Sequence, residues 1–114
     1  MDNFKLMLVD GILSRIKSIN IVDLKVRSYL LRYPDMIYLL LSVCKLTRKR
    51  FGIHAQLSLE VYEDPEIEDD YLTLYVRQEN YDEQILDIIE SIRAEYEDKV
   101  AGWLLVTTDF LPPK

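Results

Sequence analysis

The stretch from Ala55 to Gln78 limits the fold more than any other part of the chain. Ala55, Leu57, Leu59 and Val61 alternate with Gln56, Ser58, Glu60 and Tyr62. Beyond an acidic break, Leu72, Leu74 and Val76 alternate with Tyr71, Thr73, Tyr75 and Arg77. A period of two marks strands that turn one face to a core. Two such runs joined by a short polar connection predict an antiparallel hairpin. Pairing Leu59 with Leu74 also sets Leu57 opposite Val76 and Val61 opposite Leu72. One register thus satisfies every apolar position, and a slip by one residue turns the whole set toward water.

The rest of the chain must cover that apolar face. With 114 residues, a single α+β domain spanning 1–114 is the simplest expectation. Hydrophobic residues make up 49% and charged residues 30%, a globular rather than a disordered composition. Apolar runs such as Met36 to Leu41 fall far short of a bilayer span. The N-terminal stretch, with Asp2, Asp10 and only a four-residue apolar run from Leu6 to Val9, lacks the form of a signal peptide. The single Cys44 has no partner for an internal disulfide, which fits a reducing, cytoplasmic location.

Helices are expected on both sides of the hairpin in sequence. Val9, Ile12, Leu13, Ile16 and Ile19 follow helical spacing between Asn3 and about Ser18. A second helix is expected from Val22 to Arg32, with Val26, Tyr29 and Leu30 inward. A third, from Pro34 to Arg50, is apolar on nearly all sides and is expected to be buried, with Gly52 as its stop. After the hairpin, Asn80 and Glu83 form a capping-box pattern ahead of Ile85, Ile88, Ile89, Ile92 and Tyr96. A last strand follows from Trp103 to about Phe110. The expected order is therefore ααα-ββαβ with a three-stranded sheet and helices packed on it. The last strand is expected beside the first, which would make the sheet antiparallel; the alternative places it beside the second and parallel to it.

Catalytic and metal-binding patterns are sparse. The connection Glu63, Asp64, Pro65, Glu66, Ile67, Glu68, Asp69, Asp70 is rich in carboxylates but lacks EF-hand spacing, and no metal or cofactor is expected. Glu60-Val61-Tyr62 has the acid of an acid-x-Lys nuclease pattern and lacks the lysine. His54 is the only histidine, and Cys44 sits in the most apolar helix, where a thiol is normally inert. An enzymatic role is therefore not expected, with a small hydrolase or transferase using His54 and nearby carboxylates kept as an alternative.

Charge is divided along the chain. Residues 1–54 hold ten Lys/Arg against four Asp/Glu, and residues 55–114 hold four against sixteen. Such asymmetry reads first as two faces of one small domain that differ in charge, with charged partners or complementary self-association as the alternative. Lys45, Arg48, Lys49 and Arg50 would suit phosphate contacts in a nucleic-acid-associated regulator. Four charges at a helix end are nonetheless a thin footprint on a chain of net charge −6, and nucleic acid is not the expected partner. The outward hairpin face offers more. Tyr62 opposite Tyr71, Tyr75 and Arg77 with Glu60 combine apolar area with polar handles, as protein interfaces do. The leading expectation is a cytoplasmic, non-catalytic protein-binding or regulatory module. It binds a protein partner, or a second copy as a homodimer, through this face, with the acidic connection steering approach and no membrane involved.

Overall fold

A computed structural model of the chain describes residues 3–16, 18–63, 65–66, 70–100 and 103–114. Among them the elements are α1 (Asn3–Arg15), β1 (Ile21–Val22), α2 (Leu24–Arg32), α3 (Met36–Phe51), β2 (Gln56–Glu63), β3 (Asp70–Arg77), α4 (Ile85–Val100) and β4 (Leu104–Thr107). The fold is α+β, as expected from segregated helices and strands. The described strands form one mixed sheet in the order β1-β2-β3-β4.

Strands β2 and β3 pair antiparallel in the register that the alternation predicts. Leu57 faces Val76, Leu59 faces Leu74, Val61 faces Leu72 and Tyr62 faces Tyr71. Leu57, Leu59, Leu72, Leu74 and Val76 are fully buried. They join one cluster with Val26, Tyr29 and Leu30 of α2, with Ile37, Leu40, Val43 and Cys44 of α3, and with Ile85, Ile89, Ile92 and Tyr96 of α4. The helices thus pack on the leucine face, and β4 extends that face with Leu104 and Val106.

The sheet departs from expectation in two connected ways. It has four strands rather than three, because Ile21–Val22 runs parallel to β2, opposite Ser58 and Leu59. Two residues are too few to show a period, and the sequence reading places Val22 at the start of the second helix instead. Asn20 N–H and Asp23 N–H donate to the carbonyls of Leu57 and Leu59, both at 2.9 Å, and tie the strand down. That takes the edge of β2 on which the last strand was expected. Strand β4 instead lies beside β3 and parallel to it, with Leu72 opposite Leu104 and Leu74 opposite Val106.

Helix boundaries shift for local reasons. Asp23 caps α2, its carboxylate accepting from Lys25 N–H at 3.3 Å. Asp35, not Pro34, precedes the first residue of α3. Ahead of α4, which begins at Ile85 and not directly after the expected Asn80 cap, the Asp82 carboxylate accepts from Gln84 N–H at 2.8 Å. Gly52 ends α3 at φ 79°, a left-handed angle that suits glycine, and donates to Arg48 O at 2.8 Å.

Ion pairs join the two oppositely charged halves of the chain. Lys25 pairs with Glu63 at 3.1 Å, Arg32 with Asp70 at 2.6 Å and Arg50 with Glu95 at 2.7 Å. Arg48 acts differently. Its guanidinium donates to the carbonyls of Ser18, Gly52 and Ala55 and to Asn20 Oδ1, all within 3.1 Å, while Asn20 Oδ1 also accepts from Leu57 N–H. This clamp fixes the entry to β1 against the start of β2.

Two stability measurements check this account. Leu59→Ala removes a fully buried side chain from the centre of the sheet and is expected to cost about 2–5 kcal/mol in urea unfolding. Arg48→Met leaves several carbonyls without their donor and is expected to cost about 2 kcal/mol or more, against little for the exposed neighbour in Lys49→Met.

Candidate functional site

The face of the sheet opposite the helices holds Gln56, Ser58, Glu60 and Tyr62 from β2 and Tyr71, Thr73, Tyr75 and Arg77 from β3. The alternation places all five expected contact residues, Glu60, Tyr62, Tyr71, Tyr75 and Arg77, on this one face, but their surroundings differ along the strands.

At the hairpin end, the rings of Tyr62 and Tyr71 lie in tilted contact, with centroids 5.1 Å apart and planes at 31°. Tyr62 keeps 42% of its surface exposed. Glu63 and Asp70, the last and first residues of the two strands, form the neighbouring pair and carry the contacts to Lys25 and Arg32. The acidic end is therefore partly neutralised by α2. Glu66 lies in the described part of the connection and is exposed. Asp64, Glu68 and Asp69 lie outside the described residues.

At the other end the face is covered. Arg77 is only 2% exposed and its guanidinium lies 4.8 Å from the centre of the Tyr75 ring. Its Nε and Nη2 donate to the two carboxylate oxygens of Asp109 at 3.1 and 2.7 Å, and Nη2 also reaches Glu60 Oε2 at 3.4 Å. Ser58 Oγ donates to the same Glu60 oxygen at 3.0 Å. The hydrogen bonds from Arg77 hold the Asp109 carboxyl below its ordinary value of 3.8. Burial, together with the carboxylates of Glu60 and Asp109, pushes the Tyr75 phenol up. Two polar atoms here are buried without a hydrogen-bond partner, Arg77 Nη1 and Thr73 Oγ1.

The cover is the segment 108–114, which the sequence presents as a tail marked by Pro112 and Pro113. Gln56 and Tyr81 also hold it, through Lys114 and Leu111. Asp109 was within reach of sequence reasoning. With β4 parallel to β3 and Thr107 opposite Tyr75, two further residues bring Asp109 alongside Arg77. Placing the last strand on the wrong edge hides that pairing.

The remaining candidates lie elsewhere. Arg48 is committed to the clamp and Arg50, though exposed, to Ser91 and Glu95; Lys45 and Lys49 are exposed as well. His54 is exposed and lines an open cleft of 380 Å³ with Phe51, Ala55, Gln78, Glu79 and Asn80; among the described residues, Glu60, Glu63, Glu66 and Asp70 do not line it. Cys44 is fully buried, and burial pushes its thiol up to about 12. Among the described residues, no three His, Cys, Asp or Glu side chains gather as a metal site would require. No described helix is long and apolar enough to cross a membrane.

No protein-family model, curated protein or solved structure matches this chain.

The Arg77–Asp109 pair has a pH signature. A carboxyl whose folded-state pKa is depressed adds stability that is fully present above its unfolded value and is lost as pH falls through the folded one. The stability gap between the native chain and Asp109→Asn is therefore expected to be constant above pH 3.8 and to shrink as the pH drops below it. Chemical denaturation across that range measures the gap, and a gap that grows on acidification contradicts the pairing.

Proposed function

We propose that this chain is a non-catalytic protein-binding module that docks through the Tyr62–Tyr71 end of its hairpin. What supports the reading is the tyrosine pair itself: two rings in contact at the sheet end, with Tyr62 42% exposed, beside Glu63 and Asp70. Tyrosine on a rigid strand loses little conformational freedom on binding and brings both apolar area and a hydroxyl. Carboxylates around it favour a partner with a basic surface and speed the encounter at low salt.

Self-association is the form of this reading that needs no second protein. The exposed Lys45 and Lys49 of one copy complement the acidic hairpin end of another. Sedimentation across concentration is expected to show a mass above 13.5 kDa at low salt that falls toward 13.5 kDa as salt rises. The variant Tyr62→Ser with Glu63→Lys is expected to remain at the smaller mass throughout. A native chain that stays monomeric under every condition removes the self-associating form, and a variant that associates as well as the native chain removes the site.

A further inference from the structure

Residues 108–114 are held on the outer sheet face by the kinds of contact that a binding site makes with an extended peptide. The Gln56 side chain grips the Lys114 backbone at both ends, donating to its carbonyl at 3.0 Å and accepting from its N–H at 2.9 Å. Such a pair of bonds reads backbone and ignores side-chain identity. The Tyr81 hydroxyl donates to Leu111 O at 2.5 Å, and the Tyr81 ring lies 5.3 Å from that of Phe110. Arg77 supplies the specific element, a two-pronged grip on the Asp109 carboxylate.

The segment is seated without being woven in. None of its residues belongs to a strand of the sheet. Phe110 sits at φ 57°, a left-handed angle that is costly for a side chain of its size. Phe110 and Leu111 remain about half exposed. Beneath the segment, Arg77 Nη1 and Thr73 Oγ1 are buried with no partner, so this face has hydrogen-bonding capacity that residues 108–114 do not use.

We propose that the outer hairpin face is a groove for an extended segment of another protein carrying an aspartate or glutamate, and that residues 108–114 occupy it as a competing ligand within the same chain. The incoming carboxylate takes the place of Asp109 on Arg77, and Gln56 takes the backbone further along. A segment without an acid leaves a buried guanidinium with Glu60 alone, which is the basis of selectivity. This groove uses Gln56, Arg77 and Tyr81 and does not depend on docking at Tyr62 and Tyr71.

The test uses a fluorescent peptide of residues 108–114 and the full-length chain, read by anisotropy. Asp109→Ser, which frees the internal segment from Arg77, is expected to bind the peptide about tenfold or more tightly than the native chain does. A peptide with asparagine in place of its aspartate is expected to lose that gain. Equal binding by the native chain and Asp109→Ser, no binding by the variant, or equal binding of both peptides overturns the proposal. Should Asp109→Ser lose its cooperative melt, Asp109→Asn keeps the shape of the side chain and removes the charge that Arg77 holds, and the same outcomes decide. Tyr62→Ser placed in the same background is expected to leave peptide uptake unchanged, so the groove and the hairpin-end surface succeed or fail separately.

Discussion

The structure depends on one register between two eight-residue strands. Because side chains alternate along a strand, the pairing that buries Leu57, Leu59, Leu72, Leu74 and Val76 also sends Tyr62, Tyr71, Tyr75 and Arg77 to the other side. A slip of a single residue would expose the leucines and bury the tyrosines, so the core and the outer face are set by the same choice. The burial of five large aliphatic side chains, each worth about 1.5–3 kcal/mol relative to exposure, is what holds that choice.

Charge then organises what packs around the sheet. The basic first half and acidic second half meet at Lys25–Glu63, Arg32–Asp70 and Arg50–Glu95. These are largely exposed pairs that add little stability individually. The first two tie α2 to the hairpin end and reduce the acidic surface left for a partner, and the third ties α3 to α4. Arg77 is the contrasting case. It is buried, it needs carboxylates, and it recruits Asp109 from beyond the last strand, drawing residues 108–114 across the face that the helices leave open.

How much of this is legible in the sequence depends on whether a signal is periodic. The hairpin register and the inward faces of α2 and α4 follow from spacing alone, because each repeats over several residues, whereas α3, expected to be buried on nearly all sides, leaves Tyr38, Ser42, Lys45 and Lys49 exposed. Strand β1 does not follow from spacing, since Ile21–Val22 is held by the backbone bonds of Asn20 and Asp23 rather than by a pattern. The place of β4 depends on β1, which occupies the competing edge, so the two errors are one. The tyrosines of the candidate surface are legible as an alternating face. The partner of Arg77 is not, because it requires the parallel placement of β4 before Asp109 can be aligned. In α1, Val9 of the predicted stripe faces the core, while Phe4 and Met7, which lie off that stripe, are largely exposed.

The most direct test of the account is the pattern of cross-strand proton contacts in the hairpin, measured by nuclear magnetic resonance on the isotopically labelled chain. The account places Leu59 against Leu74, Leu57 against Val76 and Tyr62 against Tyr71. Contacts at those pairs support it. Contacts displaced by one residue along either strand would turn the tyrosine face inward and contradict it.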